Sequence, residues 1–465
     1  MRKYLTISYV LMFFVCLQSV CGQAKYVFYF IGDGMGVNIV NATEAYLSAM
    51  NGERGSVSLL MTQFPVASIS TTYSADADVT DSAAAGTALA TGKKTKNNYL
   101  GVDPDVQPME TIAEKAKKAG KKVGVASTVP INHATPAAFY GHQKSRSMYY
   151  EISQDLLSSG FDFFGGAGLY NRDKFYDKTT APDIYPLIEQ AGYTVAKGYE
   201  DFKANAGKSK KVMLVQKNWE EAGGIPYAID RTSEDLSLRQ ITEAAIDVLM
   251  RNNKKGFFLM LEGGRIDWAA HANDAASVVK EVIDMDEAVK VAYEFYKKHP
   301  KETLIVITAD HDTGGLTAGQ GRLNITPLQH QRQSQDQLTK RINELRVSKN
   351  GIVSWEEVKD LLTTTMGFWK EIPISWEQEK NLRDAYEETI AKNREVVDRN
   401  LYADNSLLAA KAKQVMNEVA RLGWGTTSHS GGFVPVYAIG AGQHLFTQQM
   451  DNIEIPQKII KAANY

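Results

Sequence analysis

Five short runs of β-forming residues recur along the chain: Tyr26–Ile31, Lys122–Ala126, Lys211–Val215, Phe257–Leu261 and Leu304–Thr308. Each stops at a polar or glycine-containing cluster, and helical patterns such as Met109–Ala119 and Leu236–Asn252 lie between them. Strands that alternate with helices predict an α/β fold: a doubly wound, largely parallel central sheet flanked by helices. Ligands of such sheets bind beyond the carboxyl ends of the strands. The residues that follow each strand are therefore candidates for chemistry. They are Asp33 after the first run, Glu262 after the fourth, and Asp310 with His311 after the fifth.

Residues 320–425 break this alternation. The stretch is rich in Gln, Lys, Glu and Asn and reads as helices over Gln331–Arg346, Ser354–Thr365, Glu377–Asn400 and Asn405–Leu422. The strand pattern resumes at Val434–Gly440, so a helical insertion is expected inside one catalytic domain of residues 23–465. Within it, Ser348–Glu357 looks like half of a calcium-binding loop, but Arg346 stands where the first carboxylate ligand is required. A turn followed by a capping box, Ser354 with Glu357, is the better reading.

The formal charge of −2 over 465 residues leaves no basic excess to neutralise a nucleic-acid backbone. Positive charge at any phosphate site must come from a metal or a single arginine. At the N-terminus, Arg2 and Lys3 precede an apolar stretch from Leu5 to Val20, and Val20 and Gly22 are small residues placed for cleavage. Residues 1–22 thus read as a secretory signal, which implies a periplasmic or secreted protein. An uncleaved anchor is the rival, disfavoured by the short apolar run. The stretch before Cys21 is a poor lipidation signal, and no other stretch is long enough to span a bilayer. Both cysteines, Cys16 and Cys21, fall within the signal. The exported chain would rely on its core and bound metals, not on disulfides.

Several local motifs carry acid, imidazole or hydroxyl groups. Asp81-Ser82-Ala83 opens an alanine-rich helical run, where a hydroxyl meets free backbone N–H groups that favour phosphate. A capping serine is the plain alternative. Asp33 sits in Gly32-Asp-Gly-Met-Gly36; a dinucleotide fingerprint fails there, because Val37 and Ile39 occupy the positions of the third glycine. The flanking glycines suggest room for metals. In Glu262-Gly-Gly-Arg-Ile-Asp267-Trp-Ala-Ala-His271, a helical turn would bring Asp267 and His271 onto one face as an O/N pair for zinc. Asp310-His311 and His429 lie in glycine-rich loops, whereas His142, His299, His330 and His444 lack such settings and are assigned to structure or solvent. Thr135 is held extended by Pro136, and Arg146 offers a planar fork for two phosphate oxygens.

Taken together and in this order, Asp33, Asp81-Ser82-Ala83, His133-Ala-Thr135-Pro, Arg146, Glu262 through His271, Asp310-His311 and His429 resemble the alkaline phosphatase family. The resemblance spans the chain from Asp33 to His429 except for the insertion. It implies a phosphomonoesterase acting through a phosphoserine on Ser82, with two Zn²⁺ and one Mg²⁺. Asp267, His271 and His429 would hold the first zinc. Asp33, Asp310 and His311 would hold the second. Asp33, Thr135 and Glu262 would hold magnesium. Arg146 would grip the phosphoryl oxygens, with His133 and Trp268 nearby where some members of the family have Asp and Lys. A homodimer is also implied. The insertion is expected to govern access or subunit contact and to supply no ligand.

Two competing readings remain at this point. A phosphodiesterase, sulfatase or phosphomutase could share the fold, although no Cys/Ser-x-Pro-x-Arg motif marks a sulfatase and a diesterase does not need Arg146. A silent metal- or phosphate-binding protein is the other reading, which the full ligand set and Ser82 argue against.

Overall fold

The computed structural model describes residues 23–55, 58–218, 223–319, 321, 323–394, 396–399 and 401–465. The expected signal, residues 1–22, lies outside the described residues. A ten-stranded sheet runs through the molecule. Eight of its strands are β1 (Tyr26–Gly32), β2 (Val66–Thr71), β3 (Lys122–Ser127), β4 (Phe163–Gly166), β5 (Tyr193–Lys197), β6 (Lys211–Val215), β7 (Phe257–Gly263) and β8 (Thr303–Ala309). Strand Val434–Gly440 inserts antiparallel between β2 and β8, and Met450–Asp451 pairs parallel with β2 at one edge. The order is Met450–Asp451, β2, Val434–Gly440, β8, β1, β7, β3, β4, β6, β5, with the block from β8 to β5 all parallel.

The pattern of β1 shows why this sheet is buried on both faces. Tyr26, Phe28 and Phe30 enter one core cluster, while Val27, Tyr29 and Ile31 enter the other. Alternate side chains of a strand point to opposite faces, so a strand that is apolar throughout needs helices on both sides. The five predicted strands all form. The sequence signal missed β2, β4 and β5. In β4 (Phe-Phe-Gly-Gly) the glycines mimic a turn, but they serve packing. A Cβ on Gly165 would fall 2.7 Å from Ile241, and one on Gly166 would fall 2.8 Å from Ile131.

Three helices of the 320–425 region form near the expected places: Gln335–Ser348, Trp355–Met366 and Leu407–Ala420. The expected helix Glu377–Asn400 is a correction: it runs only over Trp376–Glu388. Thr389 and Ile390 follow it, both β-branched, and Asn393 takes a left-handed conformation at φ 47°. The chain then forms a hairpin, Val397–Arg399 against Asp404–Ser406. The Ser354–Glu357 capping box is present, and Gly351 makes a turn at φ 81°. The neck of the region is clamped, because Leu316–Ala318 pairs antiparallel with Leu422–Trp424. Leu338, Leu408 and Val415 join the same core cluster as β1, so these helices pack on the domain and do not merely project from it. No helix among the described residues is long and apolar enough to cross a membrane.

Candidate active site

Register sets the level of the first carboxylates. Gly32, the last residue of β1, lies opposite Gly263 of β7 and Ala309 of β8. Asp33 and Asp310 follow directly, and Glu262 lies level with Ile31. Neighbouring strands lie about 4.8 Å apart, so three acids meet at one end of the sheet. The loop glycines make room for other loops more than for ions. A Cβ on Gly34 (φ 70°) would meet Thr313 Oγ1 at 2.7 Å and Asp267 Oδ1 at 2.9 Å, and one on Gly36 would fall 1.7 Å from Asp312 Oδ1.

Ser82 is the first residue of the helix Ser82–Thr91, and Asp81 is its cap, accepting from the Ala84 N–H at 2.9 Å. Ser82 is therefore not occupied in capping. Its buried Oγ lies 3.2 Å from His311 Nε2. Small residues let this helix approach the segment with Thr135; a Cβ on Gly86 would sit 3.2 Å from Thr135 Cα. The other side chains converge from separate loops. His311 Nε2 is 3.4 Å from Asp33 Oδ1 and 3.2 Å from Asp310 Oδ2. His271 Nε2 and His429 Nε2 lie 3.4 and 3.8 Å from Asp267 Oδ1. The His311 and His429 rings stack at 3.7 Å. Thr135 Oγ1 donates to Asp310 Oδ2 at 3.4 Å. Arg146 reaches Asp81 Oδ2 at 3.3 Å through Nη1 and His133 Nε2 at 3.2 Å through Nη2.

These groups have the bonding pattern of metal ligands. His271 Nδ1 meets the Thr427 carbonyl at 2.6 Å, and His429 Nδ1 meets the Thr80 carbonyl at 2.9 Å. That fixes each ring and turns its Nε2 inward, as the outer partners of metal-bound imidazoles do. Those Nε2 atoms have no hydrogen-bond partner, nor do both oxygens of Asp33, Asp267 Oδ2 and Glu262 Oε1. Buried polar atoms are rarely left so. Three overlapping groups bring ligand atoms within 4.8 Å of one another: Asp267, His311 and His429; Asp33, Asp310 and His311; and Asp33, His133 and Glu262. The mix of imidazole and carboxylate suits Zn²⁺ in the first two, and the oxygen-rich third suits a harder cation. His133 joins Asp33 and Glu262 in the third group, and Thr135 lies beside it through its contact with Asp310.

Electrostatics give the same picture. Burial, with Asp310 and Asp267 beside it, pushes the Asp33 carboxyl well above the usual range. Burial raises Glu262 to about 8 and, aided by Asp267, raises Asp310 to about 6. Burial also acts to raise Asp267, but His271, His429 and His311 hold it below its ordinary value. Burial, and then the neighbouring His429, drives His311 well down; burial and Arg146 do the same to His133. The cluster carries more acid than it can ionise without cations.

The Alkaline phosphatase family model matches residues 24–163 and 186–465. The chain belongs to the alkaline phosphatase family. It is 35% identical to alkaline phosphatase 4 of Bacillus subtilis (strain 168) over 453 residues, covering 94% of this chain and 88% of that protein. It is 34% identical to alkaline phosphatase 3 of the same organism, covering 95% and 90%. Among solved structures, the cold-active alkaline phosphatase of a psychrophilic Shewanella superposes with a TM-score of 0.78 at 27% identity, over 94% of this chain and 99% of that one. A variant of the TAB5 alkaline phosphatase, described with magnesium bound in its M3 site, gives 0.65 at 25% identity over 96% and 99%. The chain is thus a phosphatase, and the cluster around Ser82 is the candidate active site of an alkaline phosphatase.

Sequence reasoning overlooked three residues here. Thr313 donates from Oγ1 to Asp267 Oδ1 at 2.5 Å, and the signal was its place three residues after Asp310. Tyr402, from the hairpin turn of the 320–425 region, stacks on Trp268 at 4.5 Å and 14° and meets the His133 and His271 rings at 5.9 and 5.3 Å. Nothing in the local sequence marks it. Arg265 lies under Trp268, its Cζ 4.8 Å from the indole. Of the histidines set aside, His142 binds the Gly101 carbonyl and Glu114, and His299 packs on Tyr26 and Phe295.

Proposed function

We propose that the enzyme hydrolyses phosphate monoesters through a phosphoserine on Ser82. Asp267, His271 and His429 would hold one Zn²⁺, Asp33, Asp310 and His311 a second, and Asp33, Thr135 and Glu262 an Mg²⁺. The unpartnered inward atoms of Asp33, Glu262, Asp267, His271 and His429 support that donor set, and the magnesium in the M3 site of a His-to-Glu mutant of the TAB5 enzyme is consistent with a third site. Bound there, the cations supply the charge that lowers the serine pKa and stabilises the leaving alkoxide.

The observation that carries the reading is Ser82 itself: buried, at a helix N-terminus, uninvolved in capping, and 3.2 Å from His311 Nε2. Ser82 Oγ, its proton released, attacks phosphorus; the bond from phosphorus to the ester oxygen breaks, and the leaving oxygen takes up a proton from water and departs as the alcohol. Water then attacks the phosphoserine, the bond from phosphorus to Oγ breaks, and inorganic phosphate departs. The N–H groups of the first helical turn face the phosphoryl oxygens. Arg146 binds two of them through its fork. His133, held neutral, keeps Arg146 in place, and Trp268 shields the edge of the site. Asp81 anchors both the helix and Arg146.

Acid quenching during turnover of a labelled phosphomonoester tests this. Label is expected on Ser82; label on another residue overturns the assignment. Metal analysis of the purified enzyme should return two zinc and one magnesium per chain. Export through residues 1–22 and assembly as a homodimer complete the proposal. Release of the mature chain outside the cytoplasm and sedimentation at a two-chain mass would check them.

A further inference from the structure

A cavity of about 630 Å³ lies between the core and the 320–425 region. Its wall includes Tyr227, Arg265 and Trp268 from the core and Lys340, Arg341 and Tyr402 from the insertion. Arg265 is only 8% exposed, yet among the described residues its guanidinium has no ion-pair or hydrogen-bond partner, and its Nε is buried without an acceptor. Flat contacts hold the cation instead. Its Cζ lies 3.4 Å from the Tyr227 ring centroid and 4.8 Å from that of Trp268. On the far side Gly224 packs so closely that a Cβ there would fall 2.4 Å from Arg265 Cδ. Ring contacts offset part of the penalty of burying a charge but leave its hydrogen bonds unmade. The Trp268 Nε1–H is likewise buried without an acceptor.

Guanidinium and indole N–H groups only donate, so whatever completes them must bring acceptors, and beside a buried cation it should bring negative charge. Burial raises the carboxyls of Asp230 and Glu281 and the charge of Arg265 acts to lower both, but neither acid bonds its guanidinium, and Glu281 Oε1 accepts from the Ala228 N–H instead. Asp230 accepts from Ser334 N and Oγ, and Asp235 accepts from Gln216, Thr232 N and Thr232 Oγ1. Asp336 sits in the first turn of the helix Gln335–Ser348, a position where a carboxylate is favoured in any case. The buried acceptor Gln333 Oε1 belongs to an amide that also offers N–H donors. Exposed Lys340 and Arg341 add positive charge at the rim.

The cavity adjoins the reaction site. Trp268 touches His133 edge-on at 5.8 Å, and His133 Nε2 is 3.2 Å from the Arg146 fork. We propose that this cavity is the leaving-group subsite and that it selects phosphate monoesters whose alcohol carries an anionic group of its own, a carboxylate or a second phosphate, bound by Arg265 and Trp268. This rests on the reading of Ser82 and Arg146 given above.

The test compares kcat/KM for phenyl phosphate, 4-carboxyphenyl phosphate and a trimethylammonio-phenyl phosphate, in the metal-replete enzyme and its variants. Arg265→Gln should lower the ratio of the carboxylated to the plain substrate about tenfold, in line with a charge-assisted contact. Arg265→Lys should restore part of that ratio. The rim variant Lys340→Glu/Arg341→Glu, which leaves the buried wall intact, should lower the ratio a few-fold, and it decides the matter if Arg265→Gln fails to fold. An unchanged ratio in the variants that fold, or a wild-type preference for the cationic substrate, overturns the subsite and leaves the phosphatase reading standing. Failure of the wild-type enzyme to hydrolyse any of the three defeats both.

Discussion

On the sheet, Asp33 and Asp310 stand level and Glu262 lies two residues earlier on β7, because β1 pairs in register with β7 and β8 along seven residues each. In the insertion, Tyr402 reaches the same cleft from the turn of a hairpin held by three residue pairs. The two regions meet the site through different physics. A strand end inside a buried parallel sheet has no freedom to drift, because a one-residue slip would turn every side chain to the other face. The Tyr402 ring is placed largely by aromatic contacts, to Trp268, His133 and His271, each worth about 0.5–1.5 kcal/mol. The core is therefore suited to charge that must be placed to a fraction of an ångström, and the insertion to selection among substrates.

The largest effect should follow removal of the cations. A chelator should abolish turnover and lower Tm by about 5 °C or more, and zinc with magnesium should restore both, since binding to the native state alone stabilises it. Buried Asp33, Glu262 and Asp310 repel one another without positive charge between them. Reductant should change nothing, because Cys16 and Cys21 both fall within residues 1–22. A metal-free preparation with full activity contradicts the donor set. Next in size is Ser82→Ala, which should cut kcat by at least about 10³-fold while zinc content and Tm hold. A variant as active as wild type would move the nucleophile elsewhere.

Arg146→Ala is expected to be milder and selective. Its fork is held by Asp81 and His133. Loss of about 1–3 kcal/mol should fall on phosphomonoesters, whose two charged oxygens fill the fork, and less on diesters. Equal losses on p-nitrophenyl phosphate and bis-p-nitrophenyl phosphate would show that Arg146 does not select the dianion.

How much of this was legible in the sequence also divides along the same line. The strands that carry ligands are continuous apolar runs, so their ends, and with them Asp33, Glu262, Asp310 and His311, could be read directly. Asp267 and His271 are one helical turn apart in a single segment. The edge of the sheet was harder, because the glycines of β4 serve close packing and look like a turn. The insertion hid more. The run of polar residues from Glu377 to Asn400 suggests one helix, whereas Thr389, Ile390 and a left-handed Asn393 end it and let a hairpin form. Tyr402 owes its role to that turn. Its partners Trp268, His133 and His271 lie more than 130 positions away in sequence, beyond any local periodicity. Arg265 was visible as a residue between Glu262 and Asp267, but its unmade hydrogen bonds exist only once Gly224 and Tyr227 are folded against it.

Tyr402→Ala gives the smallest effect and the sharpest test of the division between the two regions. Replacing the whole insertion would uncover Leu338, Leu408 and Val415, which share the core cluster of β1, so a global loss of structure would mask any local role. A single truncation avoids this. The variant loses the stack on Trp268 and the edge contacts to His133 and His271, and the freed indole can tilt into the cavity beside Arg265. The expected loss in kcat/KM is about three- to tenfold, set by one or two aromatic contacts, and it should be greater for bulky phosphomonoesters than for small ones. Zinc content should not change, because His271 and His429 are oriented by the Thr427 and Thr80 carbonyls, not by Tyr402. Zinc retained with a substrate-dependent loss keeps the two roles apart. Zinc lost from a variant that still folds would mean that the hairpin helps to hold the metal ligands, and that the insertion belongs to the metal site as much as the sheet does.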